Sequence, residues 1–284
     1  MVNIFKVMAT LNKRILYLTL LILIIVGCLY PIALPITVTP WTTDFYNKIN
    51  AVQPGEILLV HWGEGPGVEK TMWSAIKLTL WQFMQRRVKI IWMTTMPMAP
   101  PVGEMLLNDP LIKDAMKEEH YVVGTNFTDI GFVYMESGLV NFVKDIQGFT
   151  QNKFKDTFVG KLKDMNDIQY CYYMGGDPDA YKWLAQHVSL RFKTKIFTIS
   201  DPSTFPTHLT YLKAGNFYSC LDGVTGSAEY ELLTGKAGPF LGRMGAISTT
   251  SLFFALVIVL GNIGYFGWER KERVKPIKVG EKNV

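Results

Sequence analysis

Two long stretches without an ionisable side chain bracket this chain and limit what it can fold into. Ile15 to Thr43 and Met244 to Trp268 contain no Asp, Glu, Lys, Arg or His over 29 and 25 residues. A helix needs about 20 apolar residues to cross the hydrocarbon core of a bilayer. Residues 15–38 and 244–268 are therefore expected to be transmembrane helices. Lys6, Lys13 and Arg14 lie on the outer side of the first, and Arg270, Lys271, Arg273, Lys275, Lys278 and Lys282 on the outer side of the second. Lys and Arg next to spans are retained on the cytoplasmic side. Residues 1–14 and 269–284 thus read as cytoplasmic basic tails. Residues 39–240 read as an extracytoplasmic domain of a two-pass protein of the cell (cytoplasmic) membrane. Gly235 to Pro239 make a short linker to the second span, which predicts a domain close to the bilayer.

The net charge of +5 belongs to these flanks. Residues 39–240 carry 19 Lys+Arg against 21 Asp+Glu and are net −2, whereas the N-terminal flank adds +3 and the residues from 241 onward add +4. A basic protein can owe its charge to a nucleic-acid surface. Here the central domain has no such excess, and the expected partner is the lipid bilayer rather than DNA or RNA. Cys28 lies in the first apolar stretch, and Cys171 and Cys220 lie in the domain. The latter could pair in an oxidising space or serve as small buried apolar side chains. Ile25-Val26-Gly27-Cys28 has the look of a lipoprotein cleavage box, but the chain stays apolar through Leu34, which favours a span. Pro31, Pro35 and Pro40 should end its regular helix.

Between the spans, short apolar runs alternate with helical periodicity. Glu56–Trp62, Val88–Met93, His120–Gly124, Ile168–Met174 and Lys195–Ile199 read as strands. Helices are expected from Thr43 as cap to about Val52, over Val68–Arg87, over Val102–Glu119 with a break near Pro110, around Val133–Ile146, from Pro178 with Asp177 as N-cap, over Thr204–Lys213 and over Gly226–Leu233. Strands separated by helices imply parallel pairing with right-handed crossovers. The fold class is α/β, a Rossmann-like parallel sheet of about five strands between an N-terminal and a C-terminal transmembrane helix.

Open α/β sheets bind ligands beyond the C-terminal ends of their strands, where strand order reverses. Two glycine-bearing loops are candidates, through Gly63, Gly65 and Gly67 of Gly63-Glu64-Gly65-Pro66-Gly67 and through Gly175 and Gly176 before Asp177. Exposed backbone N–H groups there could hold an anion. Neither loop has dinucleotide or P-loop spacing, and a tight turn explains each as well. His61 ends a strand beside the first loop and is the acid–base candidate among the histidines, with Glu64, Asp177 and Asp201 as carboxylates that could serve it. Helix capping accounts equally for Asp177 and for the Ser200–Ser203 turn. His120, His187 and His208 are scattered, no metal site is expected, and no cofactor is identified. Asn126-Phe127-Thr128 is a glycosylation sequon.

The segment Gly223 to Leu232 combines small residues with two acids two positions apart, so Glu229 and Glu231 cannot share one helix face. Packing against the domain explains it. A docking surface formed by Gly226, Ser227, Glu229, Tyr230 and Glu231, for another membrane subunit or a second copy, explains it too.

Leu212 to Phe266 resembles the C-terminal region of an uncharacterised family of two-span membrane proteins with an intervening α/β domain. The resemblance rests on Gly226-Ser227-Ala228-Glu229-Tyr230-Glu231, Gly242-Arg243-Met244, Leu260-Gly261-Asn262-Ile263 and Gly175-Gly176-Asp177, with the strand order over residues 56–240. The family's first loop carries acidic residues where this chain has His61-Trp62-Gly63-Glu64. The resemblance implies architecture and membrane placement, and no activity. The expected function is a subunit or scaffold of a membrane assembly that binds a partner or small ligand. Two alternatives are a membrane-bound hydrolase or transferase, and a cytoplasmic ligand or nucleotide sensor signalling through its spans.

Overall fold

A computed structural model describes residues 12–29, 37–135, 137–150, 153–192, 194–236 and 238–273. Most of the two expected basic tails and the Pro31–Pro35 exit fall outside the described residues, as does the side chain of Cys28. In chain order the main elements are α1 (Lys13–Leu29), α2 (Pro40–Asn50), β1 (Ile57–Trp62), α3 (Trp73–Gln85), β2 (Lys89–Thr94), α4 (Pro100–Leu107), α5 (Pro110–Glu118), β3 (Phe127–Phe132), α6 (Ser137–Lys144), α7 (Ile146–Thr150), β4 (Tyr170–Met174), α8 (Pro178–Leu184), β5 (Lys195–Ser200), α9 (Phe205–Lys213), β6 (Ser219–Asp222), α10 (Gly223–Thr234) and α11 (Pro239–Arg273). The described residues fall into two compact units, one within 36–241 and the other within 1–35 and 242–284.

All strand pairs of the domain are parallel, in the order β3-β2-β1-β4-β5-β6. Among the described residues the sheet has six strands, not five. A parallel sheet is buried on both faces, and successive strand residues serve opposite layers. Leu58, Val60 and Trp62 pack with Phe45 of α2, Phe83 of α3, Leu106 of α4 and Tyr230 of α10. Leu59, Cys171 and Tyr173 face the opposite layer, with Phe142 of α6 and Leu184 of α8.

Two strands depart from the sequence reading. His120–Gly124 is not the third strand: His120 has φ +55°, and the following residues form a turn closed by Asn126, whose Oδ1 accepts from Val122 N while Nδ2 donates to His120 O. The strand is the next segment, Phe127–Phe132. Ser219–Asp222, too short to register as an apolar run, is the sixth strand, and α2 covers its outer edge. There Ser219 Oγ donates to Asp44 Oδ2 at 2.7 Å, and Lys48 Nζ donates to Tyr218 O at 2.6 Å. Helix α2 starts at Pro40 rather than Thr43, since a proline at the first helical position surrenders no needed N–H. Cys171 on β4 and Cys220 on β6 are free, buried and separated by β5. With strands about 4.8 Å apart that spacing exceeds disulfide reach.

Among the described residues, one helix segment is long and apolar enough to cross a bilayer, Pro239–Gly267 of α11. The described α1 has 17 residues. At about 1.5 Å per residue it reaches roughly 25 Å, short of a 30 Å hydrocarbon core. Within this unit Gly27 is buried, and a Cβ placed there would lie 3.0 Å from Ala246 Cα. The two backbones therefore meet at a residue that has no side chain.

The start of α11 is satisfied by a side chain from α10. The Glu231 carboxylate is 2 % exposed and accepts from Phe240 N at 3.2 Å and Leu241 N at 2.9 Å. These are orphan donors of a helix N-terminus, where negative charge is favoured. Replacing Glu231 with Ala removes the carboxylate that both N–H groups donate to. We expect the change to cost about 1–3 kcal/mol and Glu231→Gln distinctly less, because the amide oxygen still accepts. Thermal unfolding of the detergent-solubilised chain checks the order; equal midpoints for the two variants would contradict it.

Candidate functional site

The strand order reverses between β1 and β4, so the crevice of this sheet opens beyond Trp62 and Met174. The loops after these strands are drawn together by backbone bonds. Gly63 N donates to Met174 O at 2.8 Å, and Gly175 N donates to Ile199 O at 3.0 Å. Both glycines are needed for close approach. A Cβ on Gly63 would lie 2.9 Å from the Tyr173 ring, and one on Gly175 would lie 2.7 Å from the Tyr173 hydroxyl and 3.0 Å from Gly63 O. Their sides are filled by the chain itself, so neither supplies open room for a ligand.

What does converge is one step further out. Gly176 N donates to Glu64 Oε1 at 3.1 Å, bridging the first and fourth strand ends. A Cβ on Gly176 would lie 3.8 Å from Asp201 Oδ2, in the loop after β5. Glu64 and Asp201 thus both lie near Gly176 at the switch point. Burial, and then the Asp201 charge, raise the Glu64 carboxyl to about 7, while the Gly176 N–H pulls the other way. Near neutral pH Glu64 therefore exchanges its proton readily, the condition for a proton donor or acceptor or for a pH-sensitive hydrogen bond.

The other candidates separate from this pair. His61 is fully buried on the opposite side of β1 from Trp62. Its Nε2 bonds Thr95 Oγ1 at 2.8 Å, its ring lies 5.1 Å from that of Tyr173, and its Nδ1 has no hydrogen-bond partner. Burial pushes His61 down to about 3, so it is neutral and cut off from solvent. It does not join Glu64 and Asp201 as an acid–base partner. Asp177 caps α8 by accepting from Asp179 N at 3.0 Å, as a cap followed by Pro178 should. Gly65 lies near Met96, and Gly67 adopts φ +107° ahead of a short 3-10 turn.

The helix after β1 is where a Rossmann-like domain would receive a phosphate. Here the N-terminus of α3 is occupied from within. Ala75 N donates to Ser227 Oγ at 3.0 Å, and a Cβ on Gly223 would lie 2.9 Å from Met72 Cγ. A dinucleotide phosphate does not fit without displacing α10.

The docking-surface reading of residues 226–231 also needs correction. Gly226, Ser227, Glu229, Tyr230 and Glu231 are buried inside the domain. Tyr230 donates to Gln82 Oε1, and Thr39 donates to Glu229 Oε2 at 2.8 Å. The two acids face different directions, as their spacing requires, and both directions are interior. Nothing in these side chains is left to meet a partner at the surface. Within the sequon, the half-buried Asn126 serves its turn, and Thr128 is 2 % exposed within β3.

Sequence reasoning missed the second buried histidine cluster. His208 Nδ1 bonds Thr198 Oγ1 at 3.1 Å, and its ring lies 4.7 Å from Tyr181. Burial lowers it to about 4. The packing of β5, α8 and α9 brings these residues together, and no local motif signals that. Among the described residues no group of His, Cys, Asp and Glu could hold a metal ion. Comparison with known protein families, with curated proteins and with solved structures finds no match to this chain.

The raised Glu64 carboxyl has a stability consequence. The folded chain binds the Glu64 proton more tightly than the unfolded one, so this contribution is full below about 4.5 and is lost as pH rises through about 7. His61 and His208 act in the opposite sense, losing stability as pH falls below 6.5. The comparison with Glu64→Gln isolates the carboxylate. We expect the variant to gain on wild type between pH 4.5 and 8, by up to roughly 3 kcal/mol, in chemical denaturation across that range. A difference that stays flat with pH would exclude a raised Glu64.

Proposed function

We propose that this chain is a membrane-anchored, non-catalytic α/β domain that binds a partner or small ligand within a membrane assembly, with its ligand site at the Glu64–Gly176–Asp201 crevice. The observation that carries the reading is the scattering of the acid–base candidates. His61 is sealed in the core and Asp177 is spent as a cap, so Glu64 and Asp201 stand beside Gly176 without a histidine to complete a base-and-orienter pair. Such a set fits recognition of hydrogen-bonding groups better than bond cleavage.

The membrane part rests on α11. Leu252, Phe254, Leu256, Ile258 and Val259 are each at least half exposed, on a helix of spanning length. Ile15, Leu18 and Leu21 of α1 are likewise exposed. Apolar side chains on all sides suit lipid contact, and the close passage of Gly27 by Ala246 suits a paired second span. We therefore read the chain as two-pass, like the two-span family it resembles. The basic flanks of the sequence favour both termini in the cytoplasm and the domain outside.

One observation favours a second reading, a membrane-bound hydrolase or transferase. A Glu64 carboxyl at about 7 is poised for general acid–base work. The inverted sensor topology would put the basic flanks outside, against the usual bias.

Two measurements decide. Lys117 is exposed on α5, and Lys117→Cys should react with a membrane-impermeant maleimide in intact cells. Reaction only after permeabilisation would invert the topology. Native mass spectrometry of the gently solubilised protein should give a multiple of 32.2 kDa or added protein mass. A bare monomer that turns over a substrate, and loses turnover in Glu64→Gln, would replace the binding reading with the enzymatic one.

A further inference from the structure

A second cleft lies away from the switch point, at the outer β2–β3 end of the sheet. It encloses about 480 Å³ between the C-terminal ends of these strands and helix α4. That size suits a small organic molecule. Its walls are apolar and partly aromatic: Trp92, Phe132, Pro100 and Pro101. Trp92 is 5 % exposed, stacked on Trp62 at 5.8 Å and backed by Gly103, where a Cβ would lie 3.2 Å from the indole. Phe132 is 39 % exposed and held edge-on by Tyr134 at 5.1 Å. The charged groups lining it are Glu104 and Asp129, and no Lys or Arg is among the lining residues.

The irregularity in β3 sets the position of one acid. The register between β2 and β3 shifts after Trp92, so Asp129 pairs with Trp92 while Gly131 pairs with Met93. Asp129 Oδ1 accepts from Gly131 N at 2.8 Å, which fixes the carboxylate at the bulge beside the tryptophan. Bulges commonly re-aim a side chain toward a site. Burial raises the Asp129 carboxyl above its ordinary value, opposed by the Gly131 N–H and by the charge of Lys153. Lys153 sits over the Phe154 ring and does not line the cleft.

An exposed phenyl ring, that of Phe132, and two carboxylates around an apolar cavity recognise one chemistry. The ring quadrupole and the two negative charges both attract a cation, and the apolar walls take up a hydrocarbon body. Anions are opposed by both features, and a neutral ligand gains from neither charge. We propose that the Trp92–Phe132 cleft, with Glu104 and Asp129, binds an organic ammonium carrying an apolar group. This goes beyond the crevice at Glu64 and does not depend on it.

The test compares three ligands with one body: benzylammonium, benzyl alcohol and benzoate. Each is titrated against the full chain in a neutral detergent and followed by ligand-observed NMR. We expect benzylammonium to bind at least tenfold more tightly than the alcohol, and benzoate not to bind. The double variant Glu104→Gln, Asp129→Asn should remove that preference while leaving the thermal midpoint in place, since the new amide oxygen at 129 can still accept from Gly131. Glu64→Gln, in the other crevice, should leave it unchanged. Absence of saturable benzylammonium binding, equal binding of the alcohol, or a preference that survives the double variant would each overturn the assignment.

Discussion

The pairing of β1 with β4 governs this domain. These strands are more than a hundred residues apart in the chain yet lie side by side, Leu58 opposite Tyr170 through Trp62 opposite Met174. Strands β2 and β3 then extend the sheet on one side, and β5 and β6 on the other. The chain reverses its direction of growth at this seam, so two loops diverge there and leave a crevice. Tyr173 sits under the seam, and the contact of its ring with both glycines sets how near the loops come. The hydrogen bond from Gly176 to Glu64 is a consequence of that spacing.

Several buried polar groups of the domain are matched by a neighbouring element rather than by their own. Ser227 of α10 completes the first turn of α3, Glu231 completes that of α11, and Gln82 of α3 receives the Tyr230 hydroxyl and donates to Tyr46 O. Helix α10 therefore acts as a polar insert between α3 and the rest of its layer. This explains how a helix with two acids can be almost wholly buried, since an unmatched polar group in such a place costs several kcal/mol.

Much of the architecture was legible in the sequence because it is local. The buried runs of β1, β2, β4 and β5 announce a parallel sheet. The Asp177-Pro178 signal marks a true helix start, and the expected break near Pro110 is where α5 begins, capped by Asp109. The failures share a cause. His120–Gly124 has the composition of a strand, but the positive φ of His120 and the Asn126 side chain make it a turn. Strand β6 has four residues, and pairing with β5 defines it rather than its own pattern. At the site, Glu64 and Asp201 could be placed at strand ends from the sequence, whereas the exclusion of His61 depends on which layer its side chain enters. The acids of α10 looked like surface because sequence cannot show that Thr39, Phe240 and Leu241 return to meet them.

The two domain thiols carry a consequence of their own. Burial pushes Cys171 and Cys220 up to about 12, so neither forms a thiolate while the sheet is closed. Thiolate is the reactive form. Cys171 lies at the centre of the sheet, and Cys220 on the strand nearest one margin. Their modification by an alkylating reagent would therefore time two different events: the separation of β4 from its neighbours, and the fraying of the outer strand. The domain carries two internal clocks for its own opening, one at its middle and one at its rim, without any engineered probe.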